Sequence, residues 1–149
     1  MVGFGLVKFE LLGIPFQGSL GEMGSHTSTA GRIYFPSGTP DLNDLSNAAV
    51  DISGSVAREL EEETGLVPGE YRVEPDWHCV YTGPIMAMIR ILHVDLPGDA
   101  LRARIEANLA RQQQPELSAI HLVRGRRDLT AAMPSFVTAF IEAQLLLQS

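Results

Sequence analysis

Two hydrophobic periods organise the chain. Between Asp99 and Arg111, Leu101, Ile105 and Leu109 recur every four residues, which predicts an amphipathic helix with one buried face. After Pro134, whose ring suits the first turn of a helix, Phe136, Val137, Phe140, Ile141 and Leu145 form a second stripe of this kind. A third helix is predicted from about Ile52 to Thr64. Asp51 is a good N-cap there, Gly65 suits the left-handed turn that ends a helix, and Leu66 falls where it can touch Leu60. Strand patterns occupy Leu6–Leu12, the stretch around Ile33–Phe35, Arg72–Tyr81, Ile85–Val94 and Ser118–Val123, the last with Ile120 and Leu122 facing inward. Thr82-Gly83-Pro84 is a hairpin candidate between two of them. Gly-rich turns are expected between the first two strands. Phe35-Pro-Ser-Gly-Thr-Pro-Asp41 is loop chemistry that continues through Asn43 and Asn47 to about Val50.

Strands adjacent in sequence and interleaved with helices imply a mixed sheet covered by helices, not a doubly wound parallel sheet. The 149 residues contain no repeat and no linker, so one domain over residues 1–149 is the expectation. Met1–Val7 and Ile85–Ile89, the longest apolar stretches, are too short to span a bilayer. Lys8 and Glu10 interrupt the apolar start without a basic segment before it, so no secretory signal is expected. The lone Cys79 excludes an internal disulfide and a multi-cysteine zinc site, and a reducing cytoplasm is the expected location.

Charge changes this picture more than composition does. The net charge is −7, and residues 41–70 account for it: Asp41, Asp44, Asp51, Glu59, Glu61, Glu62, Glu63 and Glu70 face Arg58 alone. No dominant basic surface is visible, so a duplex nucleic-acid binder is not expected. At about 100° per residue, Glu59, Glu62 and Glu63 share one arc of the predicted helix, while Glu61 points elsewhere. Val56 and Leu60 lie beside that arc, with Glu63 nearest the buried border. Like charges at these spacings repel by about 0.2–0.5 kcal/mol per pair. Glu62 and Glu63 also occupy the last turn, where the helix dipole disfavours anions by about 0.3–1 kcal/mol each. Arg58, four residues before Glu62, offsets part of this. A divalent cation would offset the rest, and oxygen donors at this density suit magnesium or manganese better than zinc. A solvated acidic face is the plainer alternative.

Arg58-Glu59-Leu60-Glu61-Glu62-Glu63-Thr64-Gly65-Leu66 resembles the C-terminal half of the Nudix box, G-x5-E-x7-R-E-U-x-E-E-x-G-U with U aliphatic, at every fixed position. Tyr34-Phe-Pro-Ser-Gly38 is similar to the strand and turn that precede the box in that family. The resemblance implies an α/β fold, a Nudix-type α/β/α sandwich with a mixed central sheet. It also implies Mg2+- or Mn2+-dependent hydrolysis of a pyrophosphate bond in a nucleoside diphosphate linked to another group. Carried over position by position, Glu59, Glu62 and Glu63 would be metal ligands. Arg58 would orient carboxylates, and one of these acids or a further one would take a proton.

The first half of the box departs from the pattern. Its glutamate position falls on Val50 and its glycine on Asp44, while Gly38 stands six residues further upstream. Counted forward from Gly38, the glutamate position falls on Asp44, which implies a six-residue insertion. Asp51 stands one position from Val50. The alternative function is therefore a weak or inactive domain of this fold that binds a nucleotide-like ligand. The expected partner is a small nucleotide-type molecule, with no membrane and no duplex nucleic acid; a homodimer is left open.

Weaker candidates complete the reading. Glu116 precedes the last predicted strand, where many Nudix relatives place an acid near the metals, though a surface strand-edge acid is the plainer role. Arg32 could contact substrate phosphate, against a surface ion pair. Trp77 and Tyr81 could stack on a base, but sheet packing is expected of both. Cys79 is expected to be buried and inert. His26, His78, His93 and His121 show no ligand spacing. Arg124, Arg126 and Arg127 read as a solvated turn.

Overall fold

A computed structural model describes residues 5–9, 18–35, 45–46, 49–83 and 85–147. Its main sheet contains β1 (Gly5–Phe9), β2 (Gly18–Met23), β3 (Ile33–Tyr34), β6 (Arg72–Thr82), β7 (Ile85–Val94) and β8 (Leu117–Val123). β4 (Leu45–Ser46) and β5 (Ala49–Val50) form a separate small ladder. The helices are α1 (Ile52–Thr64), α2 (Gly98–Arg111) and α3 (Ser135–Leu147), and a 3-10 turn covers Arg126–Asp128. α1 has the bounds its caps predicted.

The sheet is mixed because β1 runs parallel to β7, from Gly5 opposite Arg90 to Phe9 opposite Val94, while the other pairings are antiparallel. β2 is the hub. β8 pairs along one of its edges; β1 holds Gly18 and Ser19 on the other edge, and β3 holds Gly21 and Glu22. β2 was expected to be Gly-rich turn, because its sequence, GSLGEM, has poor strand propensity. Pairing by three neighbours overrides propensity here. Gly21 has a specific use: a Cβ at that position would lie 2.8 Å from the Leu117 side chain of β8. Thr82 pairs with Ile85 in the β6–β7 hairpin, and Gly83 supplies the positive φ of 59° that its turn requires.

Alternation along β7 separates two cores. Ala87, Ile89 and Ile91 pack with Phe136, Val137, Phe140 and Ile141 of α3; Leu92 and Val94 pack with Leu60 of α1 and Leu101, Ile105 and Leu109 of α2. The molecule is thus an α/β/α sandwich, with α1 and α2 over one face and α3 over the other. Leu60 is 2% exposed and Leu66 1%, so each contributes about 1.5–3 kcal/mol as an upper figure, and together they anchor the end of α1. Leu145 and Leu122 are only half-buried at the margins of their stripes. The proline loop after Phe35, with Gly38 and Asp44, and residues 10–12 of the first predicted strand lie outside the described residues.

Candidate functional site

Both ends of α1 are fastened, which aims its acidic arc. At the start, the Asp51 carboxylate accepts a hydrogen bond from Gly54 N–H at 3.0 Å. At the end, Gly65 takes φ 80° and its N–H donates to the Glu61 carbonyl at 2.8 Å. Arg104 of α2 then closes the terminus. Its Nη2 donates to the Gly65 carbonyl at 2.9 Å and to Glu70 Oε2 at 3.2 Å, while Nε reaches Glu70 Oε1 at 3.3 Å. A Cβ on Gly65 would lie 2.5 Å from Asn108, so the helix end abuts α2 as closely as glycine permits. A cation at this end opposes the dipole that disfavours the acids of the last turn. The sequence alone hid this compensation, because Arg104 sits 39 residues beyond Gly65.

The three arc glutamates differ in environment. Glu63, beside Val56 and Leu60, is 4% exposed. The Glu59 side chain is 17% exposed and that of Glu62 60%. Arg58 links the last two, its Nη2 donating to Glu59 Oε1 at 3.3 Å and its Nε lying 3.8 Å from Glu62 Oε1. Burial lifts the Glu59 carboxyl above its ordinary range. The hydrogen bond and charge of Arg58 oppose this lift, while the negative charges of Glu62 and Glu116 add to it. Ser55, one turn before Glu59 on the same arc, is 1% exposed, and its hydroxyl has no hydrogen-bond partner among the described residues.

The sheet brings Glu116 towards this arc. Gly24 N–H donates to the Glu116 carbonyl at 2.7 Å just beyond β2, and Met23 pairs with Leu117. On the other edge of β2, Met23 N–H donates to the Arg32 carbonyl at 2.8 Å. Glu116 and Arg32 therefore flank one end of β2, and both are exposed. Glu116 is close enough for its charge to act on Glu59. The Arg32 side chain makes no ion pair among the described residues.

Among the described residues, no three Asp, Glu, His or Cys side chains already converge as a metal cage. Glu59 and Glu62 lean on Arg58 instead. The donor set is nevertheless chemically suited to a hard cation: it is oxygen only, and it includes the buried Ser55 hydroxyl, without a partner among the described residues, on the acidic arc. No helix among the described residues is long and apolar enough to cross a membrane.

Several secondary expectations change. Cys79 is exposed, not buried: β6 lies at one edge of the sheet, and there Cys79 and Tyr81 alternate with half-buried His78 and Val80. Tyr81 is 72% exposed and does not pack in the sheet. Trp77 does pack, with the Arg90 guanidinium 5.1 Å from its ring centroid. His78 meets the Phe140 ring edge-on, His93 pairs with Glu74 at 3.1 Å and His121 with Glu22 at 3.0 Å. Asp128 accepts the backbone N–H groups of Arg124 and Gly125, so the basic triplet belongs to a capped turn.

No family model matches the sequence, and no curated protein matches it. Solved structures do match in fold. An Ap4A hydrolase from C. elegans, in a binary complex, aligns with 98% of this chain and 91% of its own at TM-score 0.58 and 14% identity. RenU, a Nudix hydrolase from M. smegmatis, aligns with 99% of this chain and 86% of its own at TM-score 0.61 and 12% identity. The NUDIX domain of Shewanella oneidensis NrtR, complexed with ADP ribose, aligns over 99% and 86% at TM-score 0.52 and 14% identity. At such identities the likeness is one of architecture, and it agrees with the sandwich derived above: the chain has the fold of the Nudix hydrolases.

Proposed function

We propose that the chain is a Nudix-type pyrophosphohydrolase. It uses Mg2+ or Mn2+ to hydrolyse a pyrophosphate bond in a nucleoside diphosphate linked to another group. The observation that carries this reading is the grouping of Glu59 and Glu62 on one arc of α1, bonded to Arg58, with Glu116 near enough to act on Glu59. A helix that was merely solvated would gain nothing from this crowding. Two structures similar in fold, an Ap4A hydrolase and a domain complexed with ADP ribose, support a nucleotide-type substrate.

Glu59, Glu62 and Glu63 would hold the cation, which would neutralise pyrophosphate oxygens and lower the pKa of a bound water. Arg58 orients the Glu59 and Glu62 carboxylates through its two contacts. Glu116, exposed just before β8, would take the proton of the attacking water. Arg32, with its exposed cationic side chain across β2, would contact a substrate phosphate.

The test is release of phosphate or nucleotide from a panel of nucleoside diphosphate derivatives with magnesium or manganese. Glu63→Gln keeps the shape of the side chain and removes its charge, so turnover should collapse while the fold survives. Wild type no faster than Glu63→Gln across the panel would overturn the enzyme reading. That result would favour a domain binding a nucleotide-type ligand without turnover. One observation supports this second reading: the position of the box's first glutamate is Val50, a residue of the short ladder β4–β5.

A further inference from the structure

A cleft beside the first half of α1 has a chemistry that the proposed hydrolysis does not use. It lies between the first half of α1 and the β6–β7 hairpin and has a volume of about 130 Å³. Val56 and Ala57 of α1, Val73 of β6 and Leu92 of β7 form apolar walls; Tyr71, Ser53 and Arg90 bring polar groups. Val56 borders the acidic arc, but Ser53 and Ala57 lie roughly 120–160° around the helix from Glu59, and none of Glu59, Glu62 and Glu63 lines the cleft, which is therefore a separate site.

Arg90 is the unusual element. Its Nε donates to the Glu74 carbonyl at 2.7 Å, its Nη1 donates to Ser53 Oγ at 3.1 Å, and its guanidinium rests against Trp77. These contacts hold the group in one orientation and neutralise none of its charge. Among the described residues Arg90 has no carboxylate partner, although the chain has 18 acidic residues and only 11 basic ones. A guanidinium has five N–H donors. Two are used, and three remain, one on Nη1 and both on Nη2, for charge-assisted hydrogen bonds to a carboxylate. Ser53 belongs to the first turn of α1, whose dipole adds positive potential at the same place.

We infer that this cleft binds a small organic carboxylate, its single negative charge on Arg90 and its apolar body between Val56, Ala57, Val73 and Leu92. Size sets the body. An apolar cavity of about 150 Å³ admits benzene, so this cleft admits a group of about five or six heavy atoms. Charge sets the anion. One guanidinium balances one negative charge, and Glu61, whose charge is felt at Tyr71 on the cleft wall, opposes a second.

Benzoate tests this, with benzyl alcohol as the neutral control of the same ring size. Both are titrated through the millimolar range into the full chain, with backbone and arginine Nε resonances followed by NMR. Benzoate should shift Ser53, Ala57, Val73 and the Arg90 side chain, and should bind about 10–100-fold more tightly than benzyl alcohol. Arg90→Met, which keeps the stem, should remove that preference; Ala57→Leu, which fills the cleft, should abolish binding of both. Equal affinity of wild type for the two probes, shifts confined to other regions, or unchanged benzoate binding by Ala57→Leu would overturn the inference. The comparison of probes on wild type needs no variant to fold. Loss of hydrolysis in Glu63→Gln leaves it untouched.

Discussion

Replacing Glu59 by Gln should make the metal-free fold more stable, although the same change removes a proposed metal ligand. The Glu59 side chain is only 17% exposed and stands one turn from Glu62. Repulsion at that spacing costs about 0.2–0.5 kcal/mol, and the burial of an incompletely compensated charge adds to it. Arg58 returns about 0.3–0.5 kcal/mol through a partly exposed pair. Gln keeps the shape and a hydrogen-bond acceptor for Arg58 and carries no charge. The net expectation is a gain of about 0.5–1 kcal/mol at neutral pH, which for a chain of this size raises Tm by about 1–4 °C.

The direction with pH is equally defined. Burial, with Glu62 and Glu116 adding to it, lifts the Glu59 carboxyl above its ordinary value of 4.5, so the folded chain binds this proton more tightly than the unfolded one. Its stabilising contribution is complete below that ordinary value and is lost as pH rises through the lifted one. The advantage of Glu59→Gln should therefore be small in mild acid and grow towards neutrality. Thermal melts in EDTA across this range, with exposed Glu61→Gln as a control expected within about 0.5 kcal/mol of wild type, provide the assay. A Tm for Glu59→Gln at or below wild type at pH 7 would refute the reasoning. Excess manganese should reverse the order, because a cation held by the folded state stabilises it by about 2.7 kcal/mol at a hundred times its Kd.

Other substitutions probe the frame of the site. Asp51→Asn should preserve stability and turnover, because Asn also accepts from Gly54 N–H, whereas Asp51→Ala should lose about 0.5–2 kcal/mol in denaturant melts; a folded but inactive Asp51→Asn would place that acid in the site. Gly65→Ala should cost more than about 2 kcal/mol, from its φ of 80° and the contact with Asn108, and adding Asn108→Gly should recover only the contact part in urea melts. Arg104→Met should lose about 1.5–3 kcal/mol by the same measurement, since it uncovers the Gly65 carbonyl and leaves Glu70 with only the Val67 N–H as a donor. Glu116→Gln should lower turnover without lowering Tm, and a wild-type rate would remove it from the mechanism.

What was legible in the sequence was whatever neighbours in the chain decide. Asp51, Gly65 and the Leu60–Leu66 contact are local signals, and they located α1 from Ile52 to Thr64. Helical phase likewise put Glu63 at the buried border, where it is 4% exposed. What was hidden depends on partners remote in sequence. β2 has no local reason to be a strand and exists because β1, β3 and β8 pair with it. Cys79 and Tyr81 read as packed because they fall in a predicted strand and Cys79 has no partner base nearby in sequence, yet β6 lies at an edge of the sheet and both are exposed.

The same distinction runs through the site. The charge pattern of α1 could be read along one helix, and so could its apparent cost. The relief of that cost could not, because Arg104 arrives from α2 to close the helix end, while Glu116 arrives from β8 to increase the negative charge at Glu59. These two long-range influences act in opposite directions. Arg104 holds the acidic turn in place without neutralising the arc; Glu116 makes the arc more demanding of a cation. A fold selected for stability alone would have brought the cation to the arc and kept the second acid away. This chain fastens the backbone of the helix with its cation and leaves the carboxylates crowded, an arrangement whose strain a bound divalent ion would relieve. Arc-neutralising variants should thus melt higher in EDTA and lose their advantage in metal, whereas Arg104→Met should melt lower in both.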